Sequence, residues 1–416
     1  MVDYKKFELD NGLTVIHHHD ETTSLVALNL LYKVGARDEN PKRTGFAHLF
    51  EHLMFGGTNN IPDFDTPLQM SGGENNAFTN NDYTNYYLTL PKDNVETGFW
   101  LEADRMRELA FTSKSLEVQR QVVIEEFKQR YLNQPYGDVW LLLRPLAYKK
   151  HPYQWPTIGK EISHIEEATL DEVKAFFYSF YAPNNAVLTV AGNITFEETK
   201  ELCEKWFGEL PYRELNKPIL PIEPKQTEKR VLEVKRDVPF DMIYKTWHMC
   251  ERNHPEFYAY DLISDVLSNG RSARLYQRLV KERQIFSDIN AYLTGDNDEG
   301  LFVVNGKLMG GRTMEEAEKA IDEELEKMCT EFVSDYELEK VRNKVEATLL
   351  YSETNVLNKA MNLSFFEFLG DVAMVNMEVD NYRKVTREDI LRISKQLFRA
   401  ENCSILYYLS NTKSEN

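Results

Sequence analysis

The chain has few cysteines, no long apolar run and no surplus of basic residues. Only four of its 416 residues are cysteine, and none form a CxxC pair. A disulfide framework or a thiolate zinc site is therefore not expected, and free thiols are typical of a reducing compartment. No apolar run approaches the roughly 18 residues that a membrane-spanning helix needs, and the N-terminus lacks the apolar core of a signal peptide. These absences predict a cytoplasmic protein with no membrane segment.

The charge balance is strongly acidic. The sequence holds 67 Asp and Glu residues against 49 Lys and Arg residues, a net charge of −18. Phosphate binding needs clustered Lys and Arg side chains, so a nucleic-acid partner is not expected. An acidic surface favours solubility, and it can also attract basic substrates.

The length and a central proline-rich stretch indicate two domains. A single hydrophobic core stops growing near roughly 250–300 residues, and this chain has 416. Residues 211–228 contain four prolines in a short polar stretch, which is typical of a linker. We therefore predict an N-terminal domain at 1–210, a linker at 211–228 and a C-terminal domain at 229–416.

The two sides of this linker share a local pattern. Thr169 and Thr386 each open an amphipathic helix with a capping-box-like Thr-x-x-Glu/Asp, and each helix is followed by a strand-like run. The two threonines are 217 positions apart (386 − 169), close to half the chain. We interpret this as an internal duplication, although capped helices followed by strands are also common without one.

The strongest chemical signal is the run His48-Leu49-Phe50-Glu51-His52, within a stretch of helical apolar spacing. Residues four apart lie on one face of a helix, so the two imidazoles could bind one zinc ion. The glutamate shares that face and could take a proton from water bound to the zinc, which lowers the pKa of that water. This is the inverted H-x-x-E-H arrangement of zinc peptidases.

A catalytic zinc site usually has three protein ligands. The next candidates are the adjacent Glu125 and Glu126, which follow the apolar run 122–124 in a long helical region. An acidic pair in a helix is ordinarily solvated, but after such a run one carboxylate could point inward. The residues by themselves leave the choice between the two open.

These motifs together resemble the pitrilysin/insulinase-type zinc metallopeptidases, a family that includes mitochondrial processing peptidase. The resemblance rests on the run 48–58 around the H-x-x-E-H motif, the opening hairpin near Asn11-Gly12, residues 76–87, and the run 119–126. It covers the first half of the chain closely and the second half loosely.

The resemblance implies a zinc-dependent endopeptidase that hydrolyses peptides or unfolded segments, with one Zn²⁺ per chain. Glu126 would be the third ligand beside His48 and His52, and Glu51 the catalytic base. The implied fold class is α+β: two homologous domains, each a mainly antiparallel sheet packed with helices, close like a clam around a chamber. The substrate would bind as an added strand along Asn76, Ala77, Phe78 and Thr79.

The sequence departs from the family pattern at three positions. Gln119 stands where many members have a second glutamate seven positions before the ligand. Val280 and Ser287 stand where self-sufficient members have an arginine and a tyrosine that hold the substrate backbone. We therefore expect a dimer, in particular a heterodimer in which a metal-free homologous subunit supplies the Arg/Tyr pair.

Two alternatives remain open from sequence. A different local alignment would let Arg278 or Arg283 act with Tyr292, which removes the need for a partner. The chain could also be a non-catalytic assembly or core subunit of the same fold, although such subunits usually lose the metal ligands. The run 17–19, three consecutive histidines, could bind metal, but a strand or turn at the surface is the simpler interpretation.

Overall fold

The computed structural model describes residues 1–411 and contains two β-sheets flanked by helices. The strands are β1 (Lys5–Glu8), β2 (Thr14–His19), β3 (Leu25–Tyr32), β4 (Glu74–Thr79), β5 (Thr84–Pro91), β6 (Ala186–Gly192), β7 (Arg230–Arg236), β8 (Met242–His248), β9 (Phe286–Leu293), β10 (Leu301–Leu308) and β11 (Cys403–Ser410). The α-helices are α1 (Phe46–Leu53), α2 (Asp65–Met70), α3 (Val95–Arg107), α4 (Ser113–Phe127), α5 (Val139–Ala147), α6 (Ser163–Glu166), α7 (Leu170–Phe180), α8 (Phe196–Phe207), α9 (Phe257–Ser268), α10 (Met314–Thr330), α11 (Asp335–Ser352), α12 (Val356–Leu369), α13 (Glu378–Lys384) and α14 (Arg387–Leu397).

The second sheet repeats the topology of the first. The first sheet has the order β1-β2-β6-β3-β5-β4 and the second has the order β7-β11-β8-β10-β9. In each sheet one pair is parallel, β2 with β6 and β7 with β11, and the other pairs are antiparallel. Strands β7 to β11 therefore take, in chain order, the positions of β2 to β6. This confirms the predicted α+β class with two mainly antiparallel sheets.

The paired threonines seen in the sequence fall at equivalent places in this repeat. Thr169 caps α7 and Thr386 caps α14, and each forms the full capping box with the acidic residue three positions later. The strands that follow, β6 and β11, occupy matching positions in the two sheets. The repeated topology supports the interpretation of an internal duplication.

Each compact unit is built from three separate segments of the chain, not from one continuous segment as predicted. The first unit comprises residues 1–132, 155–221 and 350–377; the second comprises residues 133–154, 222–349 and the described residues from 378 onward. The predicted boundaries at 1–210 and 229–416 therefore miss two exchanged segments. Helix α5 belongs to the second unit, and helix α12 belongs to the first.

Packing explains why the two helices are exchanged. Helix α12 lies on β3 and β6, where Ser364 accepts a hydrogen bond from Asn29 (2.8 Å) and bonds the hydroxyl of Thr189 (2.7 Å). Helix α5 lies on the second sheet through the buried side chains of Val139 and Leu143. Hydrophobic periodicity shows that a helix has an apolar face, but it does not specify which sheet that face covers.

The proline-rich stretch 211–228 forms neither helix nor strand, as a linker should. Its second part is nevertheless anchored, because buried Glu223 accepts hydrogen bonds from the backbone amides of Lys149, Lys150 and His151 at 2.8–2.9 Å. Across the part of the chain that the structure describes, no helix combines the length and the apolar character needed to cross a membrane.

Candidate metal centre

Helix α1 presents an apolar face to the core and a polar face to the candidate site. The first face is buried and consists of Phe46, Ala47, Leu49, Phe50 and Leu53. Phe50 packs on the rings of Phe176 and Tyr181, with centroids 5.0 and 5.1 Å apart. With this face fixed, the 3.6-residue period places His48, Glu51 and His52 together on the other side.

The two histidines of α1 meet a carboxylate from α4. Nε2 of His52 lies 3.4 Å from Oε2 of Glu126, and Nε2 of His48 lies 3.6 Å from the same oxygen. One donor atom from each of the three side chains lies within 4.8 Å of the other two. Among residues 1–411, this is the one group of three or more His, Cys, Asp or Glu side chains with such spacing.

The three side chains fit a zinc ion. Zn–N and Zn–O bonds of about 2.0–2.2 Å in a tetrahedral site put neighbouring donor atoms roughly 3.3–3.6 Å apart. The two distances to Glu126 fall in that range. Two imidazoles and one carboxylate are also a donor set found in catalytic zinc sites, where a fourth position stays open.

The structure distinguishes the two adjacent glutamates by their surroundings. Glu126 points toward the histidines, and its Oε1 lies 3.1 Å from Arg130 Nη1. Glu125 is exposed and pairs with Lys128 at 2.7 Å. The geometry therefore agrees with the choice of Glu126 that the family pattern implies. Arg130 was not singled out in the sequence, although its position four residues after Glu126 is a known signal of an ion pair in a helix.

Glu51 is held by the edge of the first sheet. Thr79, the last residue of β4, donates a hydrogen bond from Oγ1 to Oε2 of Glu51 at 2.6 Å. Burial raises the pKa of the Glu51 carboxyl, while this hydrogen bond acts in the opposite direction. The sequence placed Thr79 in a substrate-binding strand and did not foresee its contact with Glu51.

The pKa values of His48 and Glu126 are shifted in directions that suit metal ligands. Burial lowers the pKa of the His48 imidazole, which favours the neutral form. The hydrogen bond with His52 lowers the pKa of Glu126, which favours the carboxylate. A metal ion requires neutral histidine and ionised carboxylate, so both directions match that requirement.

Strand β4, which contains the four predicted substrate-binding residues, is the terminal strand of the first sheet. Asn76 is exposed, and Ala77, Phe78 and Thr79 are half-buried. The backbone amide of Ala77 donates to Oδ1 of Asn76 at 2.8 Å. Asn80 bonds Tyr83 at the hairpin, and hydrogen-bonded pairs alternate along an antiparallel ladder, so Ala77 opposite Tyr86 directs its amide away from β5. That amide therefore lies on the outer edge of the strand, where a further strand would pair.

Two of the three positions that depart from the family pattern, Val280 and Ser287, lie in the second unit, whereas Gln119 lies on α4 in the first. Val280 packs against the apolar core, and exposed Ser287 donates from its hydroxyl to the carbonyl of Lys307 at 3.2 Å. The alternative residues have other contacts: Arg278 pairs with Glu324 at 2.9 Å, and Arg283 pairs with Glu323 at 2.6 Å.

Tyr292 is half-buried and packs against the apolar cluster that contains Tyr148, Tyr153 and Val303, and burial raises the pKa of its hydroxyl to about 12. The three side chains offered by the alternative alignment are thus engaged within their own unit.

The consecutive histidines do not gather around a common point. His17 and His19 both bond the carbonyl of Ile194, at 3.0 and 2.8 Å, whereas His18 bonds the carbonyl of Asp3 at 2.6 Å. Residues along a strand alternate between faces, which separates the middle histidine from the others. His17 and His18 are buried, so the expectation of a surface strand or turn is wrong for these two.

Comparison with known proteins gives matches over most of the chain. Residues 14–160 match the family model described as "Insulinase (Peptidase family M16)", and residues 167–345 match "Peptidase M16 inactive domain". The zinc protease PqqE of Helicobacter pylori is 28% identical over 407 residues, which covers 95% of this chain and 90% of that protein.

Solved structures match the whole fold. The crystal structure of a protease from Helicobacter pylori has a TM-score of 0.92 at 26% identity and covers 98% of this chain and 100% of that chain. The crystal structure of pitrilysin has a TM-score of 0.78 at 18% identity, with 98% of this chain matched to 45% of that chain. The candidate ligands and Glu51 lie within the first matched segment, residues 14–160, and outside the segment described as inactive.

Proposed function

This chain belongs to the M16 family of insulinase-type peptidases, and from that premise we propose that it is a zinc-dependent endopeptidase acting on peptides or unfolded polypeptide segments. The relative PqqE carries the name zinc protease. The observation that carries the proposal is the convergence of His48, His52 and Glu126 within 4.8 Å, beside Glu51 on the same helix face. A non-catalytic subunit would have no need to keep these four side chains together.

In this proposal His48, His52 and Glu126 would hold one zinc ion. When bound, zinc supplies Lewis acidity, which polarises a carbonyl and lowers the pKa of water. The residues around it set the position of the ion: Arg130 balances the charge of Glu126, and helix α1 fixes the spacing of the two imidazoles.

Glu51 acts as the general base. It accepts a proton from the attacking water and later returns it to the leaving amine. Burial raises the pKa of its carboxyl toward the working pH, which improves both transfers. The hydrogen bond from Thr79 keeps one carboxylate oxygen occupied, so the other is left to handle the proton.

The substrate backbone pairs with the outer edge of β4. The amide of Ala77 faces that edge and would exchange its bond with Asn76 for one to a substrate carbonyl. Thr79 joins this strand to Glu51, so a peptide paired with β4 lies near the base. Recognition of backbone rather than side chains suits a peptidase with broad sequence tolerance.

A second subunit completes the site. Packed Val280 offers no hydrogen bond to a peptide carbonyl, and Arg278 and Arg283 have acidic partners of their own. This chain matches only 45% of the pitrilysin chain, which leaves room for a second set of domains there. We therefore infer that a metal-free homologue supplies the Arg/Tyr pair in a heterodimer.

The zinc peptidase part is tested on the purified chain. We expect about one zinc per chain by atomic emission, and cleavage of an unstructured, internally quenched peptide that stops when a chelator removes the metal and returns when zinc is added. A chain with no zinc, or with cleavage unchanged by the chelator, would contradict the proposal.

The partner part is tested by isolating the chain under native conditions and identifying a homologous protein that co-purifies. Peptide cleavage is then measured for the chain alone and for the reconstituted pair. We expect a rate at least about tenfold higher for the pair, since positioning of the substrate contributes strongly to catalysis. Full activity of the lone chain would reject the partner and leave the zinc assignment intact.

A further inference from the structure

We infer that Glu39 is a positioning residue that fixes the start of helix α1 and thereby the spacing of the metal ligands. This inference deepens the proposed function and rests on it. Glu39 lies nine positions before His48, in the polar stretch 37–43, and nothing in that stretch marks it as buried. In the structure its exposure is only 5%.

The Glu39 carboxylate takes the place of the missing helix cap. The residue at the N-cap of α1 is Gly45, which has a left-handed backbone (φ 88°) and no side chain to accept a hydrogen bond. Oε2 of Glu39 accepts from the amide of Gly45 at 2.9 Å, and Oε1 accepts from the amide of Ala47 at 2.8 Å. The first amides of a helix need such acceptors, because no carbonyl within the helix is placed to accept from them.

A third donor fixes the carboxylate itself. The indole Nε1 of Trp155 donates to Oε2 of Glu39 at 3.1 Å and to the carbonyl of Ala36 at 3.0 Å. Trp155 is fully buried, so it anchors the segment before α1 to the core. Burial raises the pKa of Glu39 to about 8 even though the three hydrogen bonds favour the ionised form and act in the opposite direction.

The same segment is joined to the end of the edge strand. The amides of Ala36 and Arg37 donate to the carbonyls of Asn80 and Asn81, at 3.1 and 2.9 Å, directly after Thr79. Gly35 allows this close approach, because a Cβ at that position would lie 2.5 Å from the backbone of Asn81. The loop that holds α1 at its start therefore also holds the strand whose last residue bonds Glu51.

His48 depends on this support more than a metal ligand usually does. A ligating histidine ordinarily donates its second ring nitrogen to an acceptor, which fixes the ring. Nδ1 of His48 is buried and has no hydrogen-bond partner among the described residues. The position of this imidazole is thus set by the helix backbone and by packing, and Glu39 determines where that backbone begins.

The test compares Glu39→Gln with a matched control in the same unit. The amide of the variant places an NH₂ group against at least one N–H donor, so the start of α1 must move. The control is Asn11→Asp, at another buried side chain with three hydrogen bonds. It replaces the NH₂ group that donates to the carbonyls of Phe207 and Leu210 by an oxygen, and it keeps the oxygen that accepts from the amide of Leu13. Trp155→Phe is a milder second variant, because it removes one donor and keeps the carboxylate.

Three measurements are made on each folded protein: thermal midpoint, Zn²⁺ affinity by chelator competition, and hydrogen exchange of residues 46–53 in the metal-free state. For Glu39→Gln we expect about tenfold weaker zinc binding, as for other residues that orient ligands, and faster exchange of α1. Trp155→Phe should show the same two changes, smaller. Asn11→Asp should lower the thermal midpoint without changing the Zn²⁺ affinity or the hydrogen exchange of α1.

The outcomes separate the inference from the proposed function. Zinc affinity and α1 exchange equal to wild type in a folded Glu39→Gln or Trp155→Phe protein would show a purely structural role and overturn the inference. The same holds if Asn11→Asp weakens zinc binding to the same extent. Wild-type protein that binds no zinc would overturn the proposed function, and the inference with it, whatever the exchange data show.

Discussion

Helices α1 and α9 follow corresponding strands of the two sheets, β3 and β8, yet they carry different chemistry. Helix α1 presents two histidines and a glutamate on its polar face. Helix α9 contains no histidine, and its acidic residues Asp261 and Asp265 are held inside the second unit, by the hydroxyl of Tyr382 and the amide of Asn269. One repeat keeps its polar groups available, and the other uses them to join its own elements.

The surroundings of buried acids show the same contrast. Glu51 has one hydrogen-bond partner of fixed position, Thr79, and its pKa is raised by burial. In the second unit, Glu378 is paired with Arg252 at 2.8 Å and with the hydroxyl of Tyr258 at 2.6 Å. A saturated carboxylate stabilises a fold, whereas an incompletely paired one can move a proton. The same scaffold therefore supports either use, depending on its partners.

The largest expected effect comes from removing a ligand on α1. His52→Ala should lose zinc and reduce peptide cleavage to background, because two donors do not hold the ion in a catalytic site. Hydrogen exchange tests whether the loss is confined to one repeat. Zinc should protect α1 and α4 in the wild type and leave α9 and α11 unchanged. Zinc-dependent protection of α9 would contradict the conclusion that only the first repeat binds the metal.

The next effect separates the base from the ligands. Glu51→Gln should keep zinc and lose about 10³-fold in turnover, since general-base catalysis typically contributes 10²- to 10⁴-fold. The control is Glu125→Gln, an exposed acid on α4 that pairs with Lys128. It should retain both zinc and turnover. Normal hydrolysis by Glu51→Gln would refute the assignment of the base.

A smaller effect distinguishes the two exchanged helices. Ser364→Ala removes the partner of the buried Thr189 hydroxyl and one of the partners of Asn29, which keeps its hydrogen bonds with Asn85. We expect the free energy of unfolding of the first unit to fall by about 1–3 kcal/mol. Denaturant titration measures it. On α5, the comparable contact is apolar, and Leu143→Met should cost less than about 1.5 kcal/mol because volume is conserved. Equal losses would mean that the polar network has no special role.

The smallest effect concerns a paired acid of the second unit. Arg274 bonds both oxygens of Glu337, at 2.7 and 3.0 Å, and lowers the pKa of that carboxyl to about 2. A lowered pKa stabilises the fold above the unfolded value of about 4.3, and the contribution is lost as the pH falls toward about 2.

Glu337→Gln should therefore lower the free energy of unfolding by roughly 1 kcal/mol at pH 7, a figure reduced for solvent screening. The difference from wild type should shrink below about pH 4.3. Urea titrations between pH 7 and 3 measure it, with exposed Glu326→Gln as the control. A difference that stays constant with pH would mean that the ion pair does not contribute.

The sequence by itself determined the local features. The spacing of His48, Glu51 and His52 followed from helical periodicity once one face of α1 was apolar, and Thr169 and Thr386 marked the helix starts that the structure contains. These features depend on residues within about one helical turn, so a single chain suffices to predict them. The two-sheet α+β class likewise followed from the family resemblance.

Only the tertiary structure decided which distant groups meet. In the structure Glu126 lies beside the histidines, whereas Glu125 is exposed to solvent. Helix α5 belongs to the second unit and α12 to the first, and Glu39 is buried at the start of α1. A carboxylate in a polar stretch has the same sequence signal whether it is solvated or capping a helix. The difference lies in the partners that folding brings to it, and those are 6–116 positions away along the chain.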